Sequence, residues 1–232
     1  MASLYLVRHG QASFGTHDYD RLSDLGVRQA REAGDYLNVV AGNAVRIVCG
    51  SHVRQRDTAA EIARCLSGTL STQVDARFDE ADFDAQVVHL MPSMEDADGA
   101  RATLLAEAKT SSRSYQKLLR RVFLHWQSLP EPVQRVESWA AFAGRVGAAL
   151  QDLVQTSRPG ETTVVITSAA VIATLVGRIL GLPADAVCPL FEVMMNCSVT
   201  RLLHDRERIS LSSFNECSYL ARAGAGEMLT YR

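Results

Sequence analysis

Arg8-His9-Gly10 interrupts an apolar, β-favouring run, Leu4-Tyr5-Leu6-Val7, and leads into Gln11-Ala12-Ser13. An arginine, a histidine and a glycine at that point offer a fixed cation, a nucleophile or base, and backbone that can approach an anion closely. Taken alone, a histidine in a turn after a strand is ordinary solvated loop. Two further junctions change the weighing. Ser51-His52-Val53-Arg54 follows a second run, Val45 to Cys49, and Thr167-Ser168 follows a third, Thr162 to Thr167, where a helix begins. Parallel strands place their carboxyl ends on one side of a sheet, where ligands of open α/β folds bind. Two guanidiniums, a neutral imidazole and a helix N-terminus at Ser168-Ala169 together describe a phosphate pocket, with Gly10 beside the imidazole. A histidine can attack phosphorus without a metal, but the departing alcohol then needs an acid. Glu80, in the acidic stretch Arg77 to Asp84, is the candidate; Asp79, Asp82 and Asp84 compete, and a solvated surface carboxylate is the bland alternative.

The elements that would hold these residues alternate. Ser23 is a helix N-cap, followed by Ala30, Ala33, Gly34 and Leu37 at helical spacing. Ala59, Ile62, Ala63 and Leu66 form a second stripe after the second strand, and a short strand fits Thr72-Gln73-Val74. Strand, helix, strand, helix predicts a parallel sheet with right-handed crossovers. The rhythm lapses over about 88–132, where Tyr115, Leu118, Leu119, Val122, Phe123 and Trp126 mark an amphipathic helix and weaker helical propensity covers Arg101 to Lys109. Trp139 to Leu153 is a long helix, Val171 to Leu180 another, stopped by Gly181 and Pro183. Ser198 to Leu203 and Ile209 to Phe214 read as a closing hairpin. The expectation is a three-layer α/β fold: a mostly parallel central sheet, helices on both faces, and a helical insertion over the active-site edge. Residues 1–220 would form one domain, and the Gly/Ala-rich residues 221–232 a flexible tail.

Composition narrows the class. The formal charge of −2 gives no global field towards nucleic acid or membrane, so an anion site must be built locally. Five scattered cysteines without a Cys-x-x-Cys pair suit reduced thiols, and no apolar run reaches membrane-spanning length, so a soluble cytoplasmic protein is expected.

Leu6-Val7-Arg8-His9-Gly10, Arg54 four residues before Thr58-Ala59, and the junction from Val164 to Leu175 resemble the histidine phosphatase (phosphoglycerate-mutase-like) superfamily across nearly the whole chain. The resemblance implies transient phosphorylation of His9, clamping of phosphoryl oxygens by Arg8 and Arg54, proton donation by Glu80, and no metal or other cofactor. It also exposes a departure. The family carries a second histidine in a Ser-His-Gly-Gly element, and this chain has Thr167-Ser168-Ala169-Ala170, with Ser168 at the histidine's place. A neutral hydroxyl there implies weaker turnover, since losing one oxyanion-type donor costs about 10²–10³.

The function expected is a phosphatase, a phosphomonoester hydrolase acting on a small phosphorylated substrate and releasing inorganic phosphate. The alternatives are phosphoglycerate-mutase-type phosphoryl transfer, faintly echoed by Arg113-Ser114-Tyr115, and a catalytically weak protein that binds a phosphate ligand. Gly10 to Thr16 echoes a nucleotide-binding loop but lacks its lysine, and His17, Asp18 and Asp20 more often form a turn than a metal site. Arg113, Lys117, Arg120 and Arg121 are usual on a solvated helix face, though a lid could bring them to an anion. Asn196 and Ser198 fit packing at strand ends.

Overall fold

A computed structural model describes residues 1–13, 20–41, 44–67, 71–94, 100–108, 111–224 and 227–231. The loop residues Gly15, Thr16, His17 and Asp18, and Lys109, lie outside them.

The sheet is built from six strands in the order β3-β2-β4-β1-β5-β6. β1 (Ala2–Arg8), β2 (Ala44–Cys49), β3 (Ser71–Val74) and β4 (Thr162–Thr167) run parallel, and β5 (Val199–His204) with β6 (Ile209–Glu216) form the antiparallel hairpin expected at one side. Central strands buried on both faces explain why β1 and β4 read as continuous apolar runs. The two-residue period of a strand then divides them. Leu4, Leu6, Val48 and Val165 enter one core, while Tyr5, Val7, Ile47, Cys49, Val164 and Ile166 enter the other.

Helices cover both faces. α1 (Asp24–Val40) and α2 (Val53–Cys65) pack on the second set through Ala30, Ala33, Leu37, Ala59 and Ile62, joined by Leu220 of α9 (Ser218–Gly224). α6 (Trp139–Thr156) and α7 (Ala169–Leu180) pack on the first set. α7 ends where Gly181 adopts φ 66°, a left-handed C-cap suited to glycine. The insertion comprises α3 (Phe83–Leu90), α4 (Ala100–Ala108) and α5 (Ser112–Ser128), with α8 (Val187–Glu192) beside it. It starts earlier than periodicity suggested: the acidic stretch is not all loop, because Asp82 caps α3 by accepting from Ala85 N at 2.9 Å. Leu118, Val122, Phe123 and Trp126 on α5 are buried in the same core as Phe142.

Ser23 Oγ accepts from Gly26 N at 3.0 Å, satisfying an orphan donor at the start of α1. Ser23→Ala is expected to cost about 1 kcal/mol, read as a lower urea midpoint with unchanged slope.

The carboxy-terminal residues differ from a loose tail. Gln29 Nε2 donates to Met228 O (2.8 Å) and Thr230 Oγ1 (2.9 Å), and Asn196 N donates to Thr230 O at 2.7 Å. Met228 is buried. These bonds come from partners distant in sequence, so local composition carried no sign of them.

Candidate active site

β1 and β4 are in register to their ends, Arg8 opposite Thr167, and His9 N donates to Thr167 O at 2.9 Å. His9 O accepts from Asn196 Nδ2 (3.2 Å) and Cys197 N (3.3 Å), so the backbone at the histidine is held from both sides. Its Nδ1 lies 2.8 Å from Gly10 O. A carbonyl can only accept, so Nδ1 carries the proton and Nε2 keeps its lone pair. Arg54 Nε donates to that Nε2 at 3.2 Å. Burial, then Arg54 and Arg8, push the His9 pKa well below the ordinary histidine value, against the Gly10 carbonyl. The imidazole is therefore neutral at neutral pH.

The two arginines are themselves positioned. Arg8 Nη1 donates to Met194 O at 2.5 Å and Nη2 to Tyr231 O at 3.3 Å. Arg54 Nη1 donates to Asp20 Oδ1 at 2.6 Å, and Val53 N donates to Asp20 Oδ2 at 2.7 Å. Asp20 thus ties the first turn of α2 and its arginine together. Sequence reading had placed Asp20 in a turn or a metal cluster, and the ion pair across 34 residues gave no local signal. Among the described residues no group of three His, Cys, Asp or Glu side chains gathers as a metal site.

Glu80 is separated from its acidic neighbours by position. Asp79 accepts from Ser51 N and Ser51 Oγ at 2.5 Å each, Asp82 caps α3, and Asp84 is exposed. Glu80 alone of the four lines a pocket, together with Arg8, His9, Arg54, Phe83, Tyr115, Gln116, Leu119, Phe191, Glu192 and Tyr231. Its Oε2 accepts from Ala170 N at 3.3 Å, and its Oε1 from Ala81 N at 3.1 Å. Burial raises the Glu80 pKa above the ordinary carboxylate value, although the Ala170 N–H, Arg54, the Ala81 N–H and Arg8 oppose it. A carboxyl that holds its proton into a higher pH range is suited to act as an acid.

Three of the expected phosphate contacts lie elsewhere. Gly10 does not line the pocket. Its N donates to Thr58 Oγ1 at 3.0 Å, and a Cβ there would stand 2.5 Å from Gly26 O, so the glycine serves close packing against the start of α1. Ala169 is buried away from the pocket lining. Ser168, also fully buried, accepts from Gln55 Nε2 at 2.9 Å. Gln55 is itself buried and donates in addition to Phe78 O at 3.3 Å, so its amide fills the space in front of the Ser168 hydroxyl. The α7 N-terminus reaches the pocket through Glu80, by the Ala170 N–H.

Ser168→His by itself must therefore displace Gln55 and is expected to lose about 1–3 kcal/mol of stability by overpacking. The Gln55→Ala/Ser168→His pair should recover most of that loss in chemical unfolding. A single variant as stable as the parent would contradict this packing account.

The cationic face of α5 is not in the pocket. Arg113, Lys117 and Arg120 are exposed, Arg120 lies 3.8 Å from Glu192, and Tyr115, Gln116 and Leu119 of the same helix form the wall instead.

The sequence profile of the histidine phosphatase superfamily, branch 1, matches residues 4–122 and 105–217. Comparison with curated proteins returned no match. Among solved structures, YhfR of Bacillus stearothermophilus superposes with a TM-score of 0.66 at 23% identity, covering 94% of this chain and 99% of that one. The phosphoserine phosphatase of Entamoeba histolytica gives 0.65 at 19%, covering 95% and 100%. A mycobacterial glucosyl-3-phosphoglycerate phosphatase gives 0.61 at 24%, covering 92% and 98%. These likenesses establish a shared fold.

Proposed function

Because the chain belongs to the histidine phosphatase superfamily, branch 1, we propose that it is a phosphomonoester hydrolase working through a phosphohistidine on His9. The observation that carries this reading is a neutral imidazole, its Nδ1 proton committed to Gly10 O, set against two arginines and facing a pocket that also contains Glu80. Two neighbours are phosphatases by name, on different phosphoesters, which supports the reaction type.

Arg8 and Arg54 receive the phosphoryl oxygens, and the phosphate takes over the Arg54 donor that rests on His9 Nε2. Nε2 attacks phosphorus, the bond from phosphorus to the ester oxygen breaks, and Glu80 gives its proton to the departing alkoxide. Water then attacks the phosphohistidine while the Glu80 carboxylate takes a proton from it. The N–P bond breaks, inorganic phosphate leaves, and His9 and protonated Glu80 are restored. The side chains at the site perform every step, and we assign the reaction to the cytoplasm, where free thiols such as the five cysteines here persist.

A mutase must grip a small anionic substrate with cations beyond the phosphate clamp. Among the described residues the pocket lining carries no Lys or Arg besides Arg8 and Arg54, which favours hydrolysis. The test is rapid alkaline quenching in denaturant during turnover of radiolabelled 4-nitrophenyl phosphate. Acid-labile, base-stable phosphate should appear on the peptide containing His9. A protein that binds phosphate and never becomes labelled or turns over would instead be a phosphate-ligand sensor.

A further inference from the structure

The pocket runs past Arg8 and Arg54 to Phe83, Tyr115, Leu119 and Phe191, with a cavity of about 100 Å³. Its distal wall is apolar and is braced by the core. Phe191 stacks on Phe123 with centroids 5.1 Å apart and planes 4° apart, and Phe83 lies 5.5 Å from Phe191. Phe123 is fully buried and meets Trp126 and Trp139 edge-on at 5.8 and 5.6 Å. The two pocket phenylalanines are thus the exposed end of a fixed aromatic stack. Opposite them, Tyr115 and Leu119 stand one turn apart on α5 and face the same space.

The charges in the pocket are distributed unevenly. Its cations are Arg8 and Arg54, both close enough to His9 to act on its charge, and its carboxylates are Glu80 and Glu192, the latter partly buried with the exposed Arg120 3.8 Å away. Among the described lining residues, a second anionic group on a substrate would meet apolar rings and a carboxylate, and no Lys or Arg beyond Arg8 and Arg54.

Resting on the reading of His9, Arg8 and Arg54 as a phosphate site, we propose that the substrate is a phosphomonoester of an uncharged, largely apolar alcohol of about the bulk of an aromatic ring. Phe83, Phe191, Tyr115 and Leu119 hold the alcohol, and Glu192 excludes substrates with a second acid group. Phosphorylated hydroxy acids are thereby disfavoured, although the phosphate clamp alone would accept them.

Binding tests this independently of turnover. By titration calorimetry on the whole protein, 3-phenylpropylphosphonate should bind about 30-fold more tightly than 3-phosphonopropionate, the increment expected for burying most of a ring. Leu119→Ala should weaken the phenyl compound by about 10-fold. Glu192→Lys should tighten the carboxylate compound and narrow the ratio. Equal or tighter binding of the carboxylate compound to the parent protein overturns the proposal. Turnover of 3-phenylpropyl phosphate and 3-phosphoglycerate separates the two readings. Preference for phenyl without turnover of either ester sustains the pocket assignment and removes the hydrolase; turnover that favours 3-phosphoglycerate does the reverse.

Discussion

The His9→Ala protein is expected to release phosphate from any monoester about 10⁴-fold or more slowly than the parent, and to carry no acid-labile phosphate after quenching. The size of the effect follows from the lining. Apart from His9, the described residues around the pocket supply arginines, two carboxylates, an amide, two phenols and hydrocarbon. No thiol or second imidazole there can replace the nucleophile. The substitution also removes the donor to Gly10 O and the acceptor for Arg54 Nε, so inorganic phosphate binding and the unfolding midpoint should be measured beside activity. Retained folding and phosphate binding with hydrolysis at the parental rate would refute a nucleophilic role.

Glu80→Gln carries the second large effect, and its signature is selectivity. The amide keeps the side chain's size and can accept one of the Ala170 and Ala81 N–H bonds through its single oxygen, but it has no proton to give. Alkyl phosphates, whose alkoxide must be protonated as it leaves, should slow by about 10²–10⁴. For 4-nitrophenyl phosphate the phosphorylation step should change little, because that leaving group departs as an anion. Equal loss of kcat/KM for both esters, the quantity that reports phosphorylation and not the shared hydrolysis step, would mean that Glu80 acts through structure and not as the acid.

The pH profile gives the sign. His9 must be neutral to attack, and its pKa is held well below the ordinary value by burial and the arginines, so the acid limb of kcat/KM lies below that value. Glu80 must be protonated to donate, and burial raises its pKa, so activity falls on the alkaline side as that proton is lost. The product is a bell whose acid limb lies below the ordinary histidine value and whose alkaline limb lies above the ordinary carboxylate value. In Glu80→Gln the alkaline limb should vanish and the acid limb remain. Persistence of the alkaline limb in that variant would assign it to another group.

The contrast between Glu80 and its neighbours shows what local sequence could convey. Four carboxylates lie between Asp79 and Asp84, and no periodicity separates them. Asp82 is held locally, as the cap of α3, but Asp79 and Glu80 are separated by partners distant in sequence: Ser51 for Asp79 and the first turn of α7 for Glu80. Ser168 makes the same point from the other side. Its alignment with the family's second histidine placed it in the pocket, yet Gln55, distant in sequence, engages the hydroxyl inside the protein. In sequence Asp20 reads only as a turn or metal residue and Tyr231 as part of a tail, because their bonds to the arginines span 34 and 223 residues.

The sequence by itself determined the alternation of strands and helices, the mostly parallel sheet, and the placing of Arg8 at, and His9 and Arg54 just beyond, the carboxyl ends of strands. Those features follow from short-range causes: burial on both faces of a strand, helical periodicity and capping by Ser23. Only the tertiary structure decided which carboxylates share the pocket with the imidazole, what each arginine bonds, and what else lines that pocket. Those depend on contacts between residues far apart in the chain, which a local pattern cannot encode. Phe83, Tyr115, Leu119 and Phe191 read as ordinary core in sequence, and only the way α3, α5 and α8 meet leaves their faces open to the pocket.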